Sequence, residues 1–200
     1  MKEPFLAFVD SFLGSNVVLI TCGLPATWKT ETSEEVARIK GYPIVRTDLI
    51  RKEVLKNEDI FDEKVASNMN KRMVVYDEAF RKADETLEGS DSVIIDATFI
   101  TQSLRRRAAV LAAKYNKTLV ILHTQCPQEV SIARINRRTK EKYESNALTE
   151  EAYLNNKKKF EAIDMDDLRE HCPGLQVIQI TVDTSRDPPE EWYTIGVHKG

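Results

Sequence analysis

The chain has 200 residues, 42% hydrophobic and 30% charged, and a net charge of −3. That length suits a single domain over 1–200, able to bury roughly 70% of the unfolded chain's surface. The mild acidity argues against a broad non-specific nucleic-acid footprint but leaves room for a local basic groove. Cys22, Cys126 and Cys172 lie far apart, so neither a disulfide frame nor a zinc site is expected. No apolar run approaches membrane-spanning length, and the expected location is the cytoplasm.

In chain order, Phe5, Leu6, Phe8, Val9, Phe12 and Leu13 fall at helical spacing, which reads as a packed helix and not a signal peptide. Short apolar runs follow at Val17–Thr21, Tyr42–Val45, Ser92–Ile95, Thr118–His123 and Gln176–Val182. Between them lie segments of helical period: Thr30–Ile39, Leu49–Leu55, Val65–Leu87, Ser103–Tyr115, Pro127–Arg137 and Glu150–Ile163. Apolar strands alternating with helices predict an α/β fold, a three-layer α/β/α sandwich around a parallel sheet of about five strands. Right-handed crossovers then bring the strand C-termini to one rim, where ligands bind in such folds. Arg186–Gly200 reads as a docked tail with a frayed end.

The first strand runs straight into Gly23-Leu24-Pro25-Ala26-Thr27-Trp28-Lys29-Thr30. This is the phosphate-binding template G-x-x-x-x-G-K-[ST] with Trp28 in place of its second glycine. Backbone N–H groups of such a loop form an anion nest at a helix N-terminus. Lys29 would add a point charge on the outer phosphates, and the Thr30 hydroxyl would ligate Mg²⁺. Trp28 brings a Cβ and an indole where the template needs room. Either the loop shifts and turns the indole outward, or the nest is spoiled.

Polar residues gather at the predicted strand ends: Asp48 after the second strand and Asp96 ending the third, with Arg134, Arg137 and Arg138 on the helix after the fourth. Phosphoryl transfer needs this kind of set, a cradle, a metal, a carboxylate near the acceptor and mobile cations. Plainer roles fit too: Asp48 as a helix N-cap, Asp96 as a turn residue, the arginines and Lys157-Lys158-Lys159 as solvated faces, and His123 and His171 as structural polar groups.

Together with Tyr76-Asp77, Cys126-Pro127, Ser145-Asn146-Ala147 and Val182-Asp183-Thr184, these residues make the chain resemble a group of P-loop kinases from about 17 to 187. The group includes polynucleotide 5′-kinase, zeta-type toxins, chloramphenicol phosphotransferase and small predicted ATP-dependent kinases. The resemblance implies ATP and Mg²⁺ as cofactors, bound by Gly23 through Thr30 with Asp96 as the second metal-holding residue. It implies Asp48 as general base, Arg51 orienting it or binding substrate, Arg134 and Arg138 as catalytic cations with Lys29, and a helical lid at about 138–147. The implied activity is transfer of the γ-phosphoryl group to a hydroxyl of a small molecule or nucleotide. A catalytically impaired nucleotide-binding module and a kinase of RNA or DNA ends are the alternatives. Trp28, and Asn146 where relatives commonly carry aspartate, are the departures.

Overall fold

The computed structural model describes residues 2–56, 68–137 and 149–200. The expected lid at 138–147, with Arg138, lies outside the described residues, as does the start of the expected helix Val65–Leu87. In chain order the elements begin β1 (Glu3–Pro4), α1 (Phe5–Phe12), β2 (Val17–Cys22), α2 (Lys29–Lys40), β3 (Ile44–Arg46) and α3 (Thr47–Val54). They continue as α4 (Met69–Gly89), β4 (Val93–Asp96), α5 (Gln102–Lys114), β5 (Thr118–Gln125) and α6 (Gln128–Asn136). The last are α7 (Glu150–Lys159), α8 (Met165–His171), β6 (Val177–Asp183), a 3₁₀ turn (Pro189–Glu191) and β7 (Tyr193–Lys199).

One seven-stranded sheet runs β1-β7-β6-β5-β2-β4-β3. The five strands expected from the sequence are its parallel part; β7 and β1 extend it antiparallel beyond β6. Strand β2 is buried along its whole length, as expected for a central parallel strand. Its side chains alternate between two cores. Val18, Ile20 and Cys22 pack with Ala79, Ala83, Leu104 and Ala108 of α4 and α5, whereas Val17 and Leu19 pack with Phe5, Phe8 and Val36 of α1 and α2.

Two expectations need correction. The tail is not frayed. Residues 193–199 form β7, and Trp192 is 1% exposed, with its indole Nε1 donating to the Arg186 carbonyl at 2.8 Å. The Trp192 carbonyl accepts from the Phe5 N–H at 2.9 Å, so the two ends of the chain close on each other. The helix expected over Glu150–Ile163 stops at Phe160, and α8 starts afresh from an Asp164 cap. The cause is Arg105, fully buried on α5, which donates to the carbonyls of Glu161 at 2.7 Å and Ala162 at 2.8 Å and holds that stretch extended. A buried guanidinium needs those oxygens more than the helix needs another turn.

Burial of Trp192 against Phe5 leads to a first prediction. Trp192→Ala destabilises the protein by about 3–5 kcal/mol, from lost burial plus the cavity left behind. Urea unfolding measures this; a change below about 1 kcal/mol would mean that the tail docks without contributing to stability.

Candidate active site

The chain after β2 moves to one side of the sheet (β3, β4) and later crosses to the other (β5, β6), so a crevice opens at the β2 C-terminus. The loop Gly23–Trp28 occupies it. Gly23 has φ +151°, and an added Cβ would stand 2.6 Å from the Thr124 carbonyl oxygen, which excludes any larger residue there. Ala26 and Trp28 both take left-handed backbone, at φ 62° and 57°. Thr27 Oγ1 and Thr124 Oγ1 share a hydrogen bond at 2.7 Å, and the Thr184 hydroxyl donates to the Thr27 carbonyl at 3.0 Å. Lys29 begins α2, and its Nζ arches back to the Leu24 carbonyl at 2.7 Å.

Trp28 therefore holds the backbone shape that favours glycine, at a strain of about 1–2 kcal/mol. Its indole leans on the α1/α2 core, and the Arg134 guanidinium stacks over it at 4.7 Å. Arg134 is 6% exposed and donates to the carbonyls of Ala26 at 3.1 Å, Thr184 at 2.7 Å and Arg186 at 3.1 Å. It also pairs with Asp187 at 2.9 Å. The sequence placed Arg134 among the mobile cations; in the fold it ties the phosphate loop to the end of β6. Arg137 is exposed and 3.8 Å from Asp187.

Asp96 ends β4 with its carboxylate buried. Thr30 Oγ1 donates to Oδ2 at 2.7 Å, and Thr21 Oγ1 lies 3.0 Å from Oδ1. The nearest cation among the described residues is Arg46, with Nε 3.9 Å from Oδ2. Burial raises the Asp96 pKa, and the nearby Asp48 charge adds to this; the Thr30 and Thr21 hydrogen bonds and Lys29 oppose it. Asp48 lies in the first turn of α3 and makes no N-capping bond there; Arg51 Nη1 donates to its Oδ1 at 2.5 Å. Thus Lys29, Thr30, Asp48, Arg51 and Asp96, scattered through the sequence, share one rim.

Sequence reasoning missed Thr21, Thr98 and Arg72. Thr21 is the last β2 residue but one and looks like any strand threonine. Arg72 Nη2 reaches to 3.5 Å from Thr98 Oγ1, although nothing in Asn70-Lys71-Arg72 sets it apart from a solvated helix face. His123 stacks on Phe160, with ring centroids 5.9 Å apart. Its pKa is lowered to about 4, chiefly by burial and then by the Arg105 and Lys29 charges.

Two predictions come from this geometry. Trp28→Gly relieves the left-handed strain but removes the indole's packing and its cation–π partner, so stability falls by about 1 kcal/mol. A double-mutant cycle with Arg134→Ala should show coupling of about 1 kcal/mol; additive effects would mean that the stacked pair contributes nothing. His123 stays neutral in the fold, while the unfolded chain takes up a proton below about pH 6.5. Stability should therefore drop by on the order of 1–3 kcal/mol as pH falls from 6.5 toward 4, and then level off at that site. Denaturant titrations of wild type and His123→Gln across that range check the sign; parallel curves would refute it.

The comparisons agree with the geometry. Among solved structures, a sugar kinase from Janibacter sp. HTCC2649 superposes with a TM-score of 0.62 at 18% identity, covering 89% of this chain and 90% of that one. A gluconokinase from Sinorhizobium meliloti 1021 gives 0.59 at 15% identity, covering 90% and 88%. At such identities they show the fold alone, a mostly parallel sheet flanked by helices. Uncharacterised proteins of Mycobacterium bovis and Mycobacterium tuberculosis are 31% identical over 119 residues, 56% of this chain. The match spans 24% of the length of those relatives. The AAA domain family AAA_33 matches residues 18–163, a span that takes in the phosphate loop, Asp48, Asp96 and Arg134, and the chain belongs to that family.

Proposed function

We propose that the chain is a Mg²⁺-dependent kinase that moves the γ-phosphoryl group of ATP to a hydroxyl of a small molecule or nucleotide. The observation that carries this reading is the buried Asp96 carboxylate, bonded to Thr30 at the mouth of the phosphate loop, with the Asp48 charge close enough to act on it. One hydroxyl and one carboxylate suit Mg²⁺, which binds through few protein oxygens and keeps water and phosphate as its other ligands. The raised Asp96 pKa fits the same site, because a bound dication would compensate the buried charge.

When bound, Mg²⁺·ATP supplies the transferable group and neutralises charge on it. The chain's residues do the rest. Thr30 and Asp96 would hold the metal. The N–H groups of the loop and Lys29, whose Nζ is on the Leu24 carbonyl in this structure, would bind the phosphates. Asp48 takes a hydrogen bond from the acceptor hydroxyl and then its proton, with Arg51 fixing the carboxylate's orientation. Arg138, four positions after Arg134 in the sequence, belongs to this reading as the cation over the transferring group, while Arg134 supports the loop from the side.

The likeness to the polynucleotide-kinase, zeta-toxin and chloramphenicol-phosphotransferase group is part of the proposal. A small-molecule acceptor is favoured, since the two structural neighbours are named as kinases of a sugar and of gluconate. An impaired module was the alternative because Trp28 threatened the loop. The glycine-like backbone at Trp28 supports a formed loop over that alternative.

Calorimetry and turnover test the assignment together. Asp48→Asn should keep ATP·Mg²⁺ binding and lower phosphoryl transfer by about 100- to 10,000-fold. Lys29→Ala should weaken ATP binding itself. Unchanged turnover in Asp48→Asn would remove it as the base, and a wild type that binds no nucleotide would end the kinase reading.

A further inference from the structure

The reading above leaves Arg72 without a task. It projects from α4 toward the rim where β4 ends, two residues past Asp96, with Nη2 3.5 Å from Thr98 Oγ1. That is the long limit of a hydrogen bond. Thr98 Oγ1 also lies 3.4 Å from Tyr76 Oη, which accepts from the Phe99 N–H at 3.1 Å. Among the described residues no carboxylate pairs with Arg72. Another cation, Arg51, is close enough for its charge to act on Arg72, and its own Nη1 is on Asp48. Burial first, and then Arg51, lower the Arg72 pKa, with Tyr76 opposing them.

This treatment differs from that of the other buried arginines. Arg105 donates to the carbonyls of Phe99, Ala162 and Glu161, and Arg134 to those of Ala26, Thr184 and Arg186. The fold can thus satisfy a structural guanidinium with backbone oxygens. Arg72 receives one long contact to a hydroxyl. A partly buried cation held beside a second cation is unfavourable unless an anion joins them. Guanidinium groups are suited to carboxylate and phosphate because their forked N–H groups match two oxygens at once.

We propose that Arg72, with Arg51, binds an anionic group on the acceptor, so the substrate is an alcohol that also carries a carboxylate or a phosphate monoester. The inference rests on the kinase reading and narrows it. The two arginines move no proton; they hold the acceptor so that its hydroxyl reaches Asp48. An anion there compensates the Arg51–Arg72 repulsion, and Arg51 can keep its bond to Asp48 while doing so, since among the described residues only its Nη1 is engaged.

The test measures binding to wild-type protein preloaded with Mg²⁺ and a non-hydrolysable ATP analogue, so that the phosphate loop is filled. Two pairs of probes separate the anion sources: D-gluconate against D-glucitol for carboxylate, and ribose 5-phosphate against ribose for phosphate. At least one anion should bind ten-fold or more tightly than its neutral partner. Arg72→Gln should weaken that anion by about 10- to 100-fold and leave the neutral probe unchanged. Arg72→Lys keeps the charge without the fork and should recover part of the loss. Arg81→Gln, on an exposed arginine of α4 paired with Glu78, serves as control. If Arg72 only anchors α4 to Thr98, Arg72→Gln lowers the unfolding midpoint and leaves any anion preference intact. That result overturns the proposal, as does the absence of an anion preference in both pairs. Failure of the wild type to bind the ATP analogue is a different outcome: it removes the kinase reading, and this proposal with it.

Discussion

Strand β2 is bonded along both edges, to β4 and β5, and packed on both faces, so the chain that leaves it has one direction to go. It must emerge at the rim where the neighbouring parallel strands also end. Any polar group placed just after β2, β3, β4 or β5 therefore arrives within reach of the others. Lys29 and Thr30, Asp48 and Asp96 meet for that reason. The constraint is apolar: Val18, Ile20, Val17 and Leu19 fix β2, and the polar residues gather at the end they leave free.

Arginines stabilise the surroundings of that rim in two ways. Arg105 and Arg134 are buried and bonded mainly to backbone carbonyls, each tying loops together that would otherwise leave acceptors unmet in the interior. Arg105 ends α7 and sets the path into α8. Arg134 clamps the phosphate loop and, by stacking on Trp28, makes an aromatic residue useful at a position that favours glycine. Strain in the loop backbone is thus offset by contacts made by the side chain that causes it.

The buried carboxylate of Asp96 works in the opposite sense. Its charge is opposed by burial and by Asp48, and supported by the Thr30 and Thr21 hydroxyls and by Lys29. Such a group is a liability for folding, which a cation of the kind proposed above would offset. That trade is common where stability yields to function.

Much of this was legible in the sequence. The five parallel strands were read from apolar runs bounded by helical periods. Gly23, Lys29 and Thr30 were read from a spacing that the backbone geometry of a phosphate loop dictates. The placement of Asp48 and Asp96 on one rim was read from the rule that strand ends in a parallel sheet share it. These features are local, or follow from a rule that makes local position imply spatial position. Strand β7 was missed because residues 193–199 carry polar and glycine positions and lean on β6 and Trp192 for their order. The break at Phe160, the clamp on Trp28 and the approach of Arg72 to Thr98 depend on groups 26 to 106 residues apart finding one another. No periodicity encodes such partners. The sequence by itself determined where the strands end and which residues stand there. Only the tertiary structure decided which arginine is held by carbonyls and which has a single long contact to a hydroxyl, because that depends on the path of loops packed from distant parts of the chain.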